Sequence, residues 1–153
     1  MSNARDREIY QLMCAALDER GWKYKRNDED CAVVYGMEGD DLSMEFLISV
    51  HNEAVYSYSM IPAKMDEKDR VQGAVAVAFV NNQLSDGCFD YELQTGKIMF
   101  RVGYPILDAV PGNALFNHLI DYAGWAVDRY NDGFLMLAKG MIELDAFIKK
   151  YSE

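Results

Sequence analysis

The stretch from Gly87 to Pro105 constrains the fold of this chain more than any other part of the sequence. Apolar and polar side chains alternate on both sides of Gly96. Alternation with a period of two is typical of a strand that buries one face and exposes the other. Gly96 readily adopts the positive φ that a tight reversal needs. We therefore predict a β-hairpin whose buried side is formed by Phe89, Tyr91, Leu93, Ile98, Phe100 and Val102.

The register of this hairpin follows from matching its large apolar side chains. That match gives three facing pairs, Leu93 with Ile98, Tyr91 with Phe100, and Phe89 with Val102. The same register places Asp90 opposite Arg101 on the exposed side. An exposed cross-strand ion pair contributes only about 0.2–1 kcal/mol. We interpret this pair as a feature that specifies the register, in preference to an anion-binding site.

A meander of short strands is predicted upstream, after a first strand over residues 22–26. The runs from Cys31 to Met37 and from Leu42 to Val50 both alternate. A reversal between Gly39 and Asp40 sets Val33 across from Phe46. Because that register keeps the large side chains on one face, we expect it to be the one adopted.

The next strand runs from Ala54 and ends before Pro62, which cannot donate to a strand ladder. A two-residue loop, Asn52-Glu53, would set Ile48 across from Ser57. A reversal centred on Asn52 sets Ile48 across from Tyr56 instead. Because the second arrangement groups the large side chains on the buried face, we predict a loop of odd length.

The opposite face of this meander is then small and nearly uncharged, which suits either ordinary cover by another element or contact with a partner. Its larger apolar members form the predicted protein-binding site, Val34, Leu47, Val55 and Ile61.

Helical periodicity marks the remaining segments. The first helix is expected over Ala4 to Arg20, with Asn3 as N-cap and Gly21 at its end. A middle helix is expected after Asp66, although residues 74–80 could by composition form a buried strand. Its apolar stripe would be Val71, Ala74, Val75, Ala78, Phe79 and Asn82.

The C-terminal part, from Asn113 onward, is helical, and the sequence leaves open whether Gly133 divides it into two helices. The whole order is α-β-β-β-β-α-β-β-α(α). It predicts one α+β domain over residues 1–153, in which an antiparallel sheet of about five strands has helices on one face.

Composition narrows the expected location and partners. The formal net charge is −10, which disfavours nucleic acid and membrane surfaces as partners. No apolar run reaches the length of a membrane span, and the polar first residues lack the apolar core of a secretory signal. Three widely spaced cysteines suit reduced thiols in a cytoplasmic protein.

Several short motifs carry a family resemblance. They are Asn81-Asn82, Phe89-Asp90, Gly96-Lys97-Ile98 and Phe100-Arg101, with Gly21-Trp22, Val33-Val34 and Phe46-Leu47-Ile48 upstream. On these positions, over about residues 4 to 150, the sequence resembles the YbjN-type domain family, whose fold is similar to that of type III secretion chaperones. Members are described as candidate regulators of sensory transduction. The resemblance implies a homodimeric, non-catalytic protein that binds other proteins, and it supplies no catalytic, cofactor-binding or metal-binding residues.

Three functional hypotheses follow. The favoured one is a protein-binding module, chaperone-like or a regulatory adaptor. The alternative is a small-molecule sensor with a pocket between the sheet and the C-terminal helix, lined by Tyr56, Tyr58, Phe100 and Trp125. An enzyme using Cys88 or His118 is disfavoured, because neither has a recognisable catalytic partner in the sequence. The acidic run from Asn27 to Asp30 lacks the spacing of a calcium loop, so we expect a turn and no metal or cofactor.

Overall fold

A computed structural model of the chain describes residues 2–152. The elements in chain order are α1 (Ala4–Arg20), β1 (Lys25–Asn27), β2 (Ala32–Glu38), β3 (Ser43–His51), β4 (Ala54–Lys64), a 3-10 turn (Glu67–Asp69), α2 (Arg70–Asn81), β5 (Cys88–Glu92), β6 (Lys97–Pro105), α3 (Asn113–Ala138) and α4 (Leu144–Lys150). The strands form one antiparallel sheet in the order β1-β2-β3-β4-β6-β5. The predicted α+β class and element order are confirmed, with six strands in the sheet where about five were expected.

The first helix forms as its sequence predicts. The Asn3 side chain accepts a hydrogen bond of 2.7 Å from the Asp6 N–H, and the Asp6 carboxylate accepts one from the Asn3 N–H. This capping box satisfies two amides that have no partner inside the helix. Gly21 ends α1 with φ 75°, a left-handed conformation that glycine adopts at little cost.

Two hairpins keep their predicted faces but shift their register by two residues. Val33 lies across from Ile48 in the β2–β3 pair, and Phe89 lies across from Phe100 in the β5–β6 pair. The predicted registers were therefore wrong, although a two-residue shift leaves the paired side chains on their original faces. Leu93 is the exception, because it lies in the turn after β5 and is 57% exposed where a buried side chain was predicted. Tertiary contact sets the first turn, because the Asp40 N–H donates to the Asp128 carboxylate at 2.8 Å.

The β3–β4 turn contradicts the prediction of an odd-length loop. Asn52 and Glu53 form a two-residue turn with φ of 53° and 59°, as a type I′ turn requires. The Glu53 N–H donates to the buried Asp6 carboxylate at 2.8 Å, so α1 holds the turn in place. Ile48 therefore faces Ser57, and the large side chains of β4 lie on the side of the sheet opposite to the one predicted.

Close approach between α3 and β4 explains why small side chains face the core at this position. The side chains of β4 on the covered side are Val55, Ser57, Ser59, Ile61 and Ala63, all buried. They pack under a part of α3 that is also small, with Ala123, Gly124, Ala126 and Val127 buried. Large aromatic side chains on this side of β4 would hold the helix away from the sheet.

The middle helix exists, but its predicted buried stripe was wrong. Helix α2 begins at Arg70 after the 3-10 turn, and Asp66 makes no capping hydrogen bond. Its buried positions are Gly73, Ala76, Val77 and Val80. A Cβ at position 73 would lie 2.6 Å from the Tyr91 hydroxyl, so this glycine lets α2 approach β5. Because α2 packs close to β5, the side of the helix that carries small side chains is the buried one. The same reason applies to β4 beneath α3.

The C-terminal region forms two helices. Helix α3 continues through Gly133, which lies directly against the Tyr151 ring. The chain reverses at Gly140, which has φ 69°, and α4 then packs back with Phe147 buried. Among the residues that the structure describes, no helix combines the length and apolar character needed to cross a membrane.

Candidate protein-binding face

One side of the sheet, which we call the open face, is turned away from α1 and α3. Alternating burial along β3 and β4 shows that the helices cover only the other side. No described element within residues 2–152 packs across the centre of the open face, where Leu47 is 40% and Met60 59% exposed. The large apolar side chains at its centre, which we call the apolar strip, are Val34, Leu47, Tyr58, Met60 and Met99.

Strand register brings the apolar strip together. Val34 lies across from Leu47, and Leu47 lies across from Tyr58 on the next strand. Met60 lies directly across from Met99. Residues paired across antiparallel strands have Cβ atoms about 4.5–5.5 Å apart, so these side chains form a continuous surface over four strands.

Two shallow cavities flank the methionine pair. One, of about 450 Å³, is lined by Val34, Glu45, Leu47, Tyr58, Met60 and Met99, with part of Phe46. The second, of about 370 Å³, is lined by the same two methionines and by Asp90, Tyr91 and Glu92 of β5, with Lys97 of β6. Both cavities are mainly apolar with charged groups at their margins, an arrangement typical of surfaces that bind polypeptides.

An aromatic group lies beside the strip, near the β3–β4 turn. The His51 and Tyr56 rings stack with centroids 4.5 Å apart, and Tyr58 lies next to Tyr56 at 6.0 Å. A Cβ at Gly103 would lie 2.3 Å from the Tyr56 ring, so this ring covers the glycine backbone of β6. The glycine therefore lets Tyr56 lie flat on the open face.

The predicted Asp90–Arg101 ion pair exists, although its register differs. Arg101 lies across from Cys88, whereas Asp90 is two residues further along β5. The Arg101 guanidinium therefore reaches the Asp90 carboxylate diagonally, with N–O distances of 2.8 and 3.1 Å. Hydrogen bonds from the guanidinium lower the pKa of the Asp90 carboxyl. The pair is bidentate but about two-fifths exposed on each side, so it specifies geometry more than it stabilises the fold.

Cys88 lies next to this pair, with its Sγ 3.4 Å from an Asp90 oxygen and 3.5 Å from an Arg101 nitrogen. Partial burial, followed by hydrogen bonding to Asp90, raises the pKa of the Cys88 thiol. A thiol with a raised pKa is less ionised at neutral pH and is a weaker nucleophile. His118, the other residue considered for catalysis, is exposed on α3, with its ring centroid 6.2 Å from that of Tyr104 and 5.9 Å from that of Tyr122.

The edge of the sheet at β5 is closed by a side chain. The carboxamide of Asn81 donates to the Phe89 carbonyl at 3.0 Å and accepts from the Phe89 N–H at 2.7 Å. Asparagine can do both because it carries a donor and an acceptor on one group. Asn81 therefore occupies the position that a neighbouring strand would take on this edge.

Comparison with known proteins decides what the fold resembles. The sequence matches no protein-family model and no curated protein. The structure is similar to the crystal structure of YbjN from E. coli, described as a candidate transcription regulator, with a TM-score of 0.57. The likeness covers 80% of this chain and 91% of that chain, at 12% sequence identity. The chain has a YbjN-like fold. The resemblance identified from the sequence motifs is thus confirmed at the level of the fold.

Within this YbjN-like fold, the four residues of the predicted binding site separate into two pairs. Val34 and Leu47 lie on the open face. Val55 and Ile61 lie in the core, 0% and 3% exposed, so their assignment to a contact surface was wrong. The physical reason is the two-residue turn at Asn52, which places odd-numbered β4 positions against the helices. Whether Val34 and Leu47 contact a partner stays a prediction.

The predicted ligand pocket does not form either. Tyr56 and Tyr58 lie on the open face, whereas Phe100 is fully buried on the covered side. Trp125 is half-exposed on α3, beside a polar cavity lined by Asp40, Asp41, Asp128, Arg129, Asp132, Lys150 and Tyr151. No cavity among the described residues brings the four proposed side chains together, because the sheet itself separates them.

Sequence reasoning also missed part of the YbjN-like fold's open face. Met60 and Met99 lie at its centre but were not singled out, and the large side chains of β4 were predicted on the buried side. The residues Asn52 and Glu53 were the sequence signal that could have placed them. A two-residue turn at these positions fixes which β4 side chains lie on the same face as a given β3 side chain.

Proposed function

We propose that this chain is a non-catalytic protein-binding module, a chaperone-like or regulatory adaptor of a bacterial cytoplasm, whose open face contacts a polypeptide partner. The observation that carries this proposal is the apolar strip, which lies at the centre of a sheet face rather than at a margin. Contiguous exposed apolar surface is a common mark of interaction sites.

The chemistry of the strip favours a polypeptide as the partner. Methionine and tyrosine side chains present large contact areas, and methionine adapts to surfaces of different shape. Charges of both signs surround the strip, with Glu45, Asp90 and Glu92 on one side of the balance and Lys97 and Arg101 on the other. The face is therefore close to neutral within a chain of net charge −10, so a neutral or mixed-charge segment meets little repulsion there.

A non-catalytic role is supported by the state of the reactive groups. The Cys88 thiol has a raised pKa, and the Arg101 guanidinium beside it is engaged by Asp90. A nucleophile normally needs a lowered pKa or an adjacent base. The groups around Cys88 act in the opposite direction, because the Asp90 carboxylate favours the protonated thiol.

Regulation through protein contact suits the charge of the chain better than regulation through DNA. The structural neighbour YbjN is described as a candidate transcription regulator. A net charge of −10 repels the phosphate backbone, so we propose that any regulatory role runs through a protein partner, with no direct contact to nucleic acid or membrane. Homodimer formation belongs to the same proposal, and a solution mass of about twice 17.4 kDa would support it.

Site-specific photo-crosslinking in living bacterial cells tests the partner surface. A photoreactive amino acid is placed at Leu47, on the open face, or at Met141, which is 67% exposed in the turn between α3 and α4. We expect a discrete crosslinked polypeptide at position 47 that is lost when Met60→Asp is added, whereas Glu143→Gln leaves it unchanged. Equal crosslinking at positions 47 and 141, or none at 47, would overturn the proposal.

A further inference from the structure

Met60 and Met99 hold a position on the open face that no other pair of side chains shares within residues 2–152. They face each other directly across β4 and β6, and both line each of the two flanking cavities. Their thioethers therefore form the wall between the cavities. A change in the polarity of these two side chains alters both cavities at once.

Exposure separates Met60, but not Met99, from most of the other methionines within residues 2–152, since Met37 and Met136 are half-buried like Met99. Met13, Met44 and Met65 are buried in the core, and Met60 is 59% exposed. Met99 is half-buried beside it. A dissolved oxidant reaches exposed thioethers before buried ones, so Met60 is expected to react early, together with the exposed Met141.

We propose that Met60 and Met99 form an oxidative modification site through which hydrogen peroxide or a related hydroperoxide switches the open face from apolar to polar. This proposal rests on the proposed function for its biological meaning, but its chemistry is independent of any partner. The thioether sulfur attacks the distal peroxide oxygen, and the O–O bond breaks as an S–O bond forms. Sulfur is oxidised by two electrons to the sulfoxide, and the proton of the attacked oxygen passes to the departing oxygen. That oxygen leaves as water from hydrogen peroxide, or as the alcohol from an organic hydroperoxide.

The structural consequence follows from the location of the pair. A sulfoxide is a strongly polar acceptor, whereas the cavity walls beside Leu47 and Tyr58 are apolar. An apolar group that fills either cavity would displace the water that the sulfoxide oxygen binds, which disfavours filling of the cavity. The loss of one buried methionine contact weakens binding roughly tenfold. Because methionine sulfoxide reductases reverse the reaction, the change acts as a switch and does not destroy the protein.

Titration of the full chain with hydrogen peroxide, followed by binding of the neutral apolar dye Nile red, tests this proposal. Peptide mass spectrometry measures sulfoxide at each methionine. We expect Met60 oxidation to weaken dye binding roughly tenfold, and the reductases MsrA and MsrB together to restore it. The matched variant Met141→Leu should respond like the wild type. The double variant Met60→Leu/Met99→Leu should bind the dye normally and keep its affinity after peroxide treatment.

Two controls keep the outcomes distinct. Leu47→Asp should weaken dye binding before any oxidation, which assigns the dye to the open face. Thermal unfolding of each oxidised sample shows that the fold is retained. Unchanged dye affinity after full oxidation of Met60, or equal loss in the double leucine variant, would overturn the modification site. A dye response without crosslinking at position 47 would instead leave the modification site standing and contradict the proposed function.

Discussion

The two faces of β4 differ in a way that reverses the usual expectation about side-chain size. The covered face presents Ser57 and Ser59 to α3, whereas the open face presents Tyr56 and Tyr58 to solvent. Alternation along a strand divides its residues into two sets but does not say which set faces the core. In this fold, the long helix α3 packs close to the sheet, so the smaller set of β4 side chains faces the core. Side-chain size alone therefore predicts the wrong face.

Truncation of one aromatic side chain on each face of the sheet tests this difference most directly. Phe100 is fully buried on the covered face and contacts Phe89, with ring centroids 5.1 Å apart. We expect Phe100→Ala to lower the free energy of unfolding by roughly 3–5 kcal/mol, because it leaves a cavity. Tyr58→Ala, on the open face, should cost about 1 kcal/mol or less. Urea denaturation measures both, and similar losses would contradict the assignment of the faces.

The covered side also contains a polar group that should weaken it. Both amide atoms of Asn131 are buried and have no hydrogen-bond partner among the described residues. We expect Asn131→Leu to raise the free energy of unfolding by roughly 1–2 kcal/mol, since an unsatisfied buried carboxamide is costly. Asn81→Leu serves as the control and should lower it, because the Asn81 amide is fully engaged with Phe89. Destabilisation by Asn131→Leu in calorimetry would show that this amide has a partner.

The turn between β3 and β4 determines which β4 residues lie on each face, and its backbone geometry can be tested by substitution and insertion. Glu53 has φ 59°, which is unfavourable for a residue with a side chain. We expect Glu53→Gly to raise the free energy of unfolding by about 0.5–1 kcal/mol, because glycine suits the second position of a type I′ turn. Insertion of a glycine after Asn52 should destabilise the protein, as it gives the loop the odd length that would turn Tyr56 inward. A more stable insertion variant in urea denaturation would refute the observed register.

The smallest effect is expected for the ion pair of the open face. Hydrogen bonds from Arg101 lower the pKa of Asp90, so the pair stabilises the fold above the ordinary pKa of aspartate, about 3.9. This contribution is lost as the pH falls through the lowered pKa of the folded state. We therefore expect Asp90→Asn to cost a few tenths of a kcal/mol at pH 7.

The pH dependence supplies the check on this prediction. The difference between Asp90→Asn and the wild type should shrink in urea denaturation as the pH falls below about 4. A difference that does not shrink as the pH is lowered would show that Asp90 acts through something other than its charge.

Local signals in the sequence predicted local structure well. The Asn3 and Gly21 caps define α1 correctly, and Gly96 marks the β5–β6 turn with φ 77°. The family resemblance predicted the fold that the comparison with YbjN supports. These features depend on neighbouring residues or on the overall order of elements, both of which are visible in one sequence.

Features that depend on distant residues were not predictable in the same way. The β2–β3 turn is held by Asp128, and the β3–β4 turn is held by Asp6, each far away in sequence. The buried side of α2 depends on how closely Gly73 approaches Tyr91. Half of the predicted contact residues were misplaced for the same reason, because their face was set by a turn whose partner lies on α1.

The side chain of Asn81 has a consequence for how copies of this protein can associate. Growth of a continuous sheet from molecule to molecule requires two free edges on each copy, one to accept a strand and one to offer one. Asn81 already satisfies the Phe89 backbone on the β5 edge, so an incoming strand would have to displace its carboxamide before it could pair at that position. This carboxamide therefore disfavours continuous growth of the sheet from molecule to molecule through the β5 edge.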